Sequence, residues 1–427
     1  MKENERRCPK LERGVIVLGA AQTKFSVSKE VKLTLRDYAG EAVSKALTQA
    51  GCSLNDIDFV IVSNAVGFAN RGQGHANALI ASYLDLLGIP SVRIETACAS
   101  GSVAVRLGAM AIEAGWADNV LVVGTEVMSG MDRYMTQKVI SGGGDALLEA
   151  PVGATFPGLY ASYGMAIIDS QAPDFASGRE GLMHITLKNH HFASYNTKAQ
   201  FNISIEDLAK KKGVDDPWKF LKDPRTNPPI AWPLHLFDCS PISDGGAAVI
   251  LSGKDIAESY SGYKDAIELK AIAESTGHLP MGLSPTFTSL SAANEAAIAA
   301  YHCLGIDPDN PTERISVAEV HDCFTSAEVM AIGDLHFFPR SETLFAAKRG
   351  DTNIGGKIPI NTSGGLKAKG HPIAVTGLSQ MVTIRQQILG NMPTDIQVDD
   401  IDLGLCHNVG GTGGTAVVSI YGLPEVD

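Results

Sequence analysis

The pattern of apolar and polar residues repeats in the two halves of the chain. Near the N-terminus, GVIVLGAAQ predicts a buried strand, residues 34–50 predict a helix, and GCSLNDIDFVIVSNAVG predicts a turn and a second strand. Near the C-terminus, AIELKAIAES predicts a strand, residues 290–304 a helix, and GIDPDNPTERISVAEVHDCF a turn and a strand. The shared order indicates that one β/α unit occurs twice.

Each half continues with a second junction between a strand and a helix. In the first half, SVRIETACASG leads into a helix and then into the strand NVLVVGTEV. In the second half, IPINTSGGLKAKGHP leads into a helix and then into IDLGLCHNVGGTGGTAVVSIYG. Apolar residues three and four positions apart predict one buried face on each helix. The faces comprise Val103, Leu107, Met110 and Ala114 in the first helix and Val375, Leu378 and Val382 in the second.

Residues 129–232 fit neither copy of the unit. They contain three consecutive glycines at 142–144 and a predicted helix at 179–196, and they run into the proline-rich stretch DPRTNPPIAWP. A connection this long is uncommon as plain loop and usually forms a lid or a binding element. We therefore expect an α/β protein with mixed sheets in three parts: an N-terminal half of residues 1–128 and 233–262, an inserted segment of residues 129–232, and a C-terminal half of residues 263–427.

Composition and charge narrow the classes of function. The 427 residues carry a formal net charge of −12, which disfavours a broad nucleic-acid surface, and 44% hydrophobic residues are typical of a globular enzyme. The start MKENERRCPKLERG lacks the apolar core of a secretory signal, and no apolar run is long enough to predict a membrane span. Seven scattered cysteines without a CxxC pair support neither a disulfide framework nor a zinc knuckle. We therefore expect a cytoplasmic protein with no membrane or nucleic-acid partner.

Cys98 lies at the junction of the first half, among small residues that let a ligand approach closely. His371 occupies the matching junction of the second half, followed by Pro372, which a first helical turn tolerates. If the copies pack about a pseudo-twofold axis, both helix starts meet at one site. Helix N-termini stabilise a thiolate and disfavour a charged imidazole, so a neutral His371 would accept the thiol proton while Cys98 attacks an acyl group. The alternative is that Cys98 is a small buried residue and His371 a core histidine.

Two further strands end in polar residues. ISVAEV is followed by HDCF at residues 321–324, and IDLGL is followed by CHN at residues 406–408 and a glycine-rich loop that contains Gly411. Open α/β sheets bind ligands at the C-terminal ends of their strands. Glycines also let backbone N–H groups come near a substrate oxygen. Four such junctions in one duplicated fold favour a catalytic site.

These motifs resemble those of the thiolases over essentially the whole chain. The similar pieces are ACASG, HDCF, GGLKAKGHPIAVTG and HNVGGTGG, in their order and with a long insertion in the first half. HDCF in place of NEAF is similar to the sterol-carrier-protein-2-type and archaeal-type branch. The resemblance implies a thiolase-like duplicated fold with layers in the order αβαβα.

The resemblance also implies a role for each motif residue. Cys98 takes the acyl group from coenzyme A as a thioester, and His371 receives its proton. His321 helps to form an oxyanion hole for the enolate of the second acyl thioester. Backbone N–H groups of Cys98 and of the glycine loop at Gly411 form the hole for the tetrahedral intermediate.

The acid/base residue for the second substrate departs from ordinary thiolases, which use a cysteine in a late CxG motif. His407 occupies the aligned position, with Cys406 one residue earlier, and a one-residue shift along a strand turns a side chain to the opposite face. By resemblance to the sterol-carrier-type branch we expect Cys323 to move the proton, with Cys406 as the alternative. We expect His407 and Asn408 to orient substrate or contribute hydrogen bonds, and Asp322 to face away.

The implied function is reversible acyl transfer between coenzyme A thioesters, most simply two acetyl-CoA giving acetoacetyl-CoA and CoA. These thioesters are substrates, and neither a cofactor nor a metal is expected. The alternatives are transfer to a non-CoA acceptor such as a phenolic ring, a 3-ketoacyl or hydroxymethylglutaryl synthase, and a non-enzymatic scaffold or lipid-carrier subunit. By resemblance we expect a homodimer or homotetramer and, as in archaeal-type relatives, a small zinc-ribbon/OB-fold partner protein.

Overall fold

The computed structural model of the chain describes residues 8–27 and 33–425. In these residues the strands are β1 (Val15–Gln22), β2 (Phe59–Ser63), β3 (Ser91–Ile94), β4 (Asn119–Val127), β5 (Pro229–Ala231), β6 (Leu234–His235), β7 (Asp244–Gly253), β8 (Ile267–Thr276), β9 (Ile315–Glu319), β10 (Leu403–Gly410) and β11 (Thr415–Gly422). The helices are α1 (Leu35–Ala50), α2 (Gly67–Arg71), α3 (Ala76–Tyr83), α4 (Ser100–Glu113), α5 (Arg133–Ser141), α6 (Phe156–Gln171), α7 (Phe175–Tyr195), α8 (Ile205–Lys211), α9 (Pro217–Lys222), α10 (Lys254–Ala257), α11 (Ser291–Cys303), α12 (Thr325–Asp334), α13 (Ala346–Arg349), α14 (Gly365–Lys369) and α15 (Thr376–Ile388).

Nine of the strands in the described residues form one mixed sheet in the order β3-β2-β4-β7-β1-β8-β11-β10-β9. The first five belong to the N-terminal half and the last four to the C-terminal half. The halves meet where β1 pairs with β8 in antiparallel fashion, with residues 15–17 opposite residues 269–267. The sheets of the two copies are thus joined edge to edge, and the prediction of a duplicated α/β fold with mixed sheets is confirmed.

Helices cover the outer faces of the sheet and separate its two halves. α1 packs on β1, β4 and β7, and α11 packs on β8 and β11. Between the half-sheets lie α4, which packs on β2, β4 and β7, and α15, which packs on β1, β9 and β10. β1, β4 and β7 are buried along their whole length, as expected for apolar runs covered on both faces. The layers therefore follow the order αβαβα.

The buried face of α4 differs from the expected one. Val103 and Leu107 are half-buried and Met110 is 47% exposed. The buried residues of the helix are mostly small: Ser100, Gly101, Ser102, Ala104, Val105, Gly108, Ala109, Ala111 and Ile112. Larger side chains face outward because α4 lies between a sheet and α15 and has little space on either side. At Gly108, for example, an added Cβ would lie 2.9 Å from the Leu251 side chain. The apolar spacing predicted the helix but not the side that it buries.

α4 and α15 approach each other closely at two glycines. A Cβ on Gly377 would lie 2.2 Å from the Ser102 Oγ, and one on Gly101 would lie 3.0 Å from the Ala374 carbonyl oxygen. Only a residue without a side chain permits the first of these contacts. The close approach brings together the residues that precede the two helices.

The segment 129–232 folds into α5 to α9 and the short strand β5. α7 begins at Phe175 rather than at residue 179 because Asp174 caps it, accepting the backbone N–H of Ser177. α6 and α7 pack against α12, and α7 also packs against α14, so this segment rests on the C-terminal half. No helix in the described part of the chain has the length and apolar character needed to cross a membrane.

Candidate active site

A cavity of about 540 Å³ opens where the residues that follow β2 and β9 meet the start of α4. Five of the sequence-predicted site residues line it: Cys98, His321, Cys323, His371 and Gly411. The other two, His407 and Asn408, are not part of its wall and lie behind it, hydrogen bonded to His321. The structure therefore brings residues from both copies of the duplicated unit to one cavity.

Cys98 lies in a tight loop just ahead of α4. Ala97 has a φ of 50°, a left-handed conformation that is uncommon for a residue with a Cβ. The Ser100 hydroxyl holds the loop by donating to the Ala97 carbonyl oxygen (2.6 Å) and accepting the Thr96 N–H (2.9 Å). The Glu95 carboxylate accepts the Ala97 N–H at 2.7 Å. These bonds fix the turn that presents Cys98 to the cavity.

His371 is held by hydrogen bonds to its backbone and to its ring. Its backbone N–H donates to the Ser243 hydroxyl at 2.9 Å, and its Nδ1 lies 2.7 Å from the Thr376 hydroxyl oxygen. Because the Thr376 hydroxyl donates to the Pro372 carbonyl oxygen (3.3 Å), it accepts from His371, so Nδ1 carries the hydrogen and Nε2 has a free lone pair. The expectation that Pro372 lies in a first helical turn is wrong: Pro372 is extended, Ile373–Val375 forms a 3₁₀ turn, and α15 begins at Thr376.

His321 is held in the opposite tautomer. Its Nδ1 lies 3.1 Å from the Asn408 Nδ2, and the Asn408 Oδ1 accepts from the Ser102 hydroxyl at 3.1 Å. The Ser102 bond orients the Asn408 amide so that its N–H donates to His321, which leaves the imidazole hydrogen on Nε2. The Cys98 sulfur and one ring nitrogen each of His321 and His371 lie within 4.8 Å of one another. Because Nδ1 of each ring is engaged elsewhere, Nε2 is the nitrogen available to the cavity.

Burial sets the protonation states of this group. Burial raises the pKa of Cys98 to about 12, a backbone hydrogen bond from Gly411 opposes the rise, and the charges of Glu126 and Glu95 add to it. Burial also lowers the pKa of His371 to about 3. The pair is therefore a neutral thiol and a neutral imidazole at neutral pH. The expected stabilisation of a Cys98 thiolate by the helix start is outweighed by desolvation in this structure.

Cys323 and Cys406 occupy different environments. Cys323 lines the cavity and packs in one cluster with Tyr160; burial raises the pKa of its thiol, whereas interaction with Tyr160 lowers it. Cys406 is not part of the cavity wall and lies in the core beside Ser419 and Glu319. The one-residue offset along β10 thus turns Cys406 away, as its position relative to His407 predicts.

Asp322 is buried away from the cavity. Its carboxylate accepts the Asn189 side-chain amide at 2.8 Å and the Leu366 backbone N–H at 2.6 Å. Burial raises the pKa of this carboxyl group, and the nearby Glu328 raises it further. Asp322 therefore joins α7 and α14 to the loop that carries the cavity residues.

Gly411, on the cavity wall, and His407, behind it, support the residues of the site. Gly411 has a φ of 63°, and a Cβ there would lie 2.5 Å from the Gly143 carbonyl oxygen, so glycine is required. Its backbone hydrogen bonds to the Cys98 sulfur. The His407 Nδ1 accepts the His321 backbone N–H at 3.4 Å, and burial lowers the pKa of His407 to about 3. His407 therefore supports the His321 backbone rather than facing the cavity.

The residues that orient the site are not marked by the motifs of the sequence. Thr376 lies within the GHPIAVTG motif that contains His371, and Ser102 lies just after the ACASG motif that contains Cys98. This closeness in sequence was the signal that could have identified them. Tyr160 comes from the inserted segment, where no motif marks it. Glu126, at the end of β4, accepts backbone N–H groups on two cavity walls, from Ala65, Val66 and Ala374, and burial raises its pKa to about 7.

Within the described residues, Cys98, His321 and His371 also lie close enough together to be tested as metal ligands, since cysteine and histidine are preferred zinc ligands. A metal needs a lone pair from each imidazole. The Asn408 amide leaves the hydrogen of His321 on its cavity-facing nitrogen, which therefore suits hydrogen-bond donation. The arrangement fits proton transfer and oxyanion binding better than metal coordination.

Comparison with known proteins agrees with this geometry. The family model for the thiolase N-terminal domain matches residues 15–255, and the model described as thiolase C-terminal domain-like matches residues 273–423. An acetyl-CoA acetyltransferase of Methanothermobacter thermautotrophicus is 36% identical over 411 residues, covering 96% of this chain and 99% of the relative. Sterol carrier protein 2 of Homo sapiens is 30% identical over 433 residues, covering 98% of this chain and 74% of that protein.

A solved structure shares the fold at low identity. The Ltp2-ChsH2(DUF35) aldolase superposes with a TM-score of 0.76 at 19% identity, covering 96% of this chain and 98% of that chain. Both halves of the chain match the family models, and the relatives include an archaeal acetyltransferase and a sterol carrier protein, as the HDCF motif predicts. The chain belongs to the thiolase family of acyltransferase enzymes.

Proposed function

We propose that this protein catalyses reversible acyl transfer between coenzyme A thioesters through an acyl group on Cys98, most simply two acetyl-CoA giving acetoacetyl-CoA and CoA. The observation that carries the proposal is the meeting of the Cys98 sulfur with two imidazoles in opposite tautomers. The name of the archaeal relative, acetyl-CoA acetyltransferase, supports the choice of substrate.

In the first step the free lone pair on His371 Nε2 accepts the Cys98 thiol proton as the sulfur attacks the thioester carbonyl. The developing oxyanion accepts hydrogen bonds from the backbone N–H groups of Cys98 and Gly411. The coenzyme A thiolate then leaves and takes the proton from His371. Overall, the Cys98 thiol and an acyl-CoA become an acyl thioester on Cys98 and free CoA, while His371 returns to its neutral form and the net charge does not change.

In the second step the Cys323 thiolate removes a proton from the α-carbon of the second thioester. The electron pair of the broken C–H bond moves to the thioester oxygen, which accepts a hydrogen bond from the His321 Nε2–H. The enolate carbon attacks the acyl group on Cys98, and the Cys98 thiolate leaves. It then takes the proton from Cys323, which leaves Cys98 as a thiol and returns Cys323 to the thiolate with which this step began.

Several further properties belong to the same proposal. Coenzyme A thioesters are substrates, and the steps above use no metal or other cofactor. The cytoplasm is the proposed location, and a homodimer or homotetramer is the proposed assembly. The name of the Ltp2-ChsH2(DUF35) structure, which joins two components, supports a small zinc-ribbon/OB-fold partner for this chain as well. The proposed division is residues 1–128 with 233–262, the inserted segment 129–232, and residues 263–427.

Intact-protein mass spectrometry after brief mixing with acetyl-CoA tests the reaction. We expect the mass of one acetyl group on the wild-type protein, mapped to Cys98 in a proteolytic digest, and none on Cys98→Ala. Free CoA and acetoacetyl-CoA should then accumulate without another acceptor. Acetylation of Cys98 without acetoacetyl-CoA would favour transfer to a non-CoA acceptor, and an unmodified Cys98 would favour the scaffold alternative.

A further inference from the structure

The Tyr160 hydroxyl connects the two cysteines that line the cavity. It donates to the Gly411 carbonyl oxygen at 3.0 Å, and Tyr160 packs in one cluster with Cys323 on the cavity wall, where the hydroxyl and the thiol interact electrostatically. Gly411 in turn hydrogen bonds through its backbone to the Cys98 sulfur. A single hydroxyl from the inserted segment is therefore linked both to Cys323 and, through Gly411, to Cys98.

The ring of Tyr160 is fixed while its hydroxyl hydrogen can rotate. The side chain is 1% exposed, and its ring stacks on Phe324 with centroids 4.7 Å apart. The edge of Tyr163 packs against it at 5.5 Å, and the Tyr160 carbonyl oxygen accepts the Ser326 hydroxyl at 2.9 Å. Rotation about the C–O bond can therefore direct the hydroxyl hydrogen either to the Gly411 carbonyl oxygen or to the Cys323 sulfur.

We propose that Tyr160 is a positioning residue for the second half-reaction, with a hydroxyl that donates to the Cys323 sulfur when it is a thiolate and to the Gly411 carbonyl oxygen when it is a thiol. This inference rests on the proposed function, in which Cys323 removes the α-proton. Tyr160 keeps its own proton throughout. The α-proton goes to the Cys323 sulfur, and the hydroxyl then turns to Gly411, the arrangement that the structure contains.

Charges around Cys323 make this hydrogen bond important. Burial raises the pKa of Cys323, and the nearby Cys98 and Asp322 raise it further, whereas the bond from Tyr160 lowers it. The backbone of Phe324 also lowers it. The other titratable groups on the cavity wall are Arg93, Glu95, Cys239, His321 and His371. Of the side chains facing the thiol, Tyr160 supplies the hydrogen bond that favours the thiolate.

Tyr160→Phe removes the hydroxyl and keeps the ring. We expect Cys98 to be acetylated at the wild-type rate, because that step does not use Cys323. We expect kcat for condensation near neutral pH to fall about tenfold and the rising limb of its pH profile to move up by about one unit, the shift equivalent to a tenfold change. The matched control is Tyr163→Phe on the same helix, whose hydroxyl donates to the Thr412 carbonyl oxygen at 3.2 Å. It should leave the profile in place.

An unmoved profile in Tyr160→Phe, or an equal shift in Tyr163→Phe, would overturn the inference. Loss of Cys98 acetylation in the wild-type protein would instead overturn the proposed function, so the two failures are distinguishable. Should Tyr160→Phe not fold, 3-fluorotyrosine placed at position 160 alone keeps the ring and makes the hydroxyl a stronger donor. The profile should then move to lower pH, and a profile that stays in place contradicts the role.

Discussion

The chemistry of two histidines in one cavity is set by single neighbouring side chains. Thr376 accepts from His371 and leaves Nε2 with a lone pair, whereas Asn408 donates to His321 and leaves Nε2 with a hydrogen. His371 therefore presents a lone pair that can accept a proton, whereas His321 presents an N–H that can donate a hydrogen bond, although both residues are histidines. Burial keeps both neutral, since it lowers both pKa values.

The alkylation rate of Cys98 reports the state of the Cys98 and His371 pair. With a Cys98 pKa of about 12 and a His371 pKa of about 3, the unliganded protein holds no thiolate–imidazolium pair at neutral pH. The thiolate fraction should therefore rise about tenfold for each pH unit, and the rate with iodoacetamide should follow it from about pH 6 to 9. Cys98→Ala supplies the background rate. A plateau within this range would mean that the ion pair is already formed.

Substitutions at Thr376 test the tautomer of His371. Thr376→Val keeps the shape but removes the hydroxyl that accepts from Nδ1, so the ring loses its orientation. We expect the rate of Cys98 acetylation to fall about tenfold, the effect of losing one hydrogen bond worth roughly 1.4 kcal/mol. Thr376→Ser keeps the hydroxyl and should restore the rate. Equal rates for the Val and Ser variants, measured by rapid-quench mass spectrometry, would rule out this role.

At the scale of elements, the close approach of α4 and α15 decides whether the site exists. Gly101 and Gly377 let the helices touch, and the cavity residues Cys98 and His371 precede them. Glu126 adds a second constraint, because its carboxylate joins the loop after β2 to Ala374 just ahead of α15. The distance between Cys98 and His371, the proposed nucleophile and base, is therefore set by helix packing.

Gly377→Ala should separate the two helices. Its Cβ would lie 2.2 Å from the Ser102 Oγ and 2.7 Å from the Asn408 Oδ1, so both atoms must move. We expect unfolding free energy to fall by about 1–3 kcal/mol, as in other overpacked cores, and Cys98 acetylation to fall more than tenfold. Gly282→Ala is the control, because a Cβ there meets nothing within 4 Å. A Gly377→Ala protein with wild-type denaturant midpoint and activity would contradict this account.

The sequence predicted some elements better than others. Periodicity located the helices near residues 34–50 and 290–304, which are observed at Leu35–Ala50 and Ser291–Cys303. Periodicity predicted that Met110 lies on the buried face of α4, because the pattern depends only on which residues are apolar. In the central layer, however, the buried positions require small side chains. Likewise Pro372 suits a helix start locally, but the chain between His371 and Thr376 first forms a 3₁₀ turn. Local patterns do not contain these tertiary constraints.

At the scale of the whole molecule, the two halves share a core. One cluster of buried residues combines Val105, Ile112 and Leu251 from the first half with Leu378 and Met381 from the second. The short pairing of β1 with β8 adds backbone hydrogen bonds to this contact. Neither half buries its α4 or α15 face without the other, so the proposed halves depend on each other for stability.

Thermal unfolding tests this dependence. We expect a single calorimetric transition for the wild-type protein, with the amides of α4 and α15 exchanging hydrogen only through the same global opening. Two resolved transitions, or early exchange confined to one of these helices, would show that the halves unfold separately. Added coenzyme A should raise the midpoint of the single transition through binding to the native state.

The sequence located the cavity residues because each one follows a strand or precedes a helix in a recognisable repeat. Cys98, His321 and His371 all lie at such junctions, and topology alone brings junctions together. Tyr160 was missed since it lies inside a helix of the inserted segment, and its contact with Cys323 depends on how that segment folds onto the C-terminal half. The tautomer of His321 was missed because it depends on hydrogen bonds between residues far apart in the sequence, such as Ser102 and Asn408.

The close packing of α4 from one copy against α15 from the other has a consequence for the origin of this chemistry. A symmetric pair of identical single-copy chains would place the same residue from each chain beside the axis, giving two cysteines or two histidines. A nucleophile facing a base requires those positions to differ. Fusion of the copies into one polypeptide removes that symmetry requirement, because each position can then mutate independently. Ancestral single-unit proteins of this shape would accordingly lack the mixed thiol–imidazole pair.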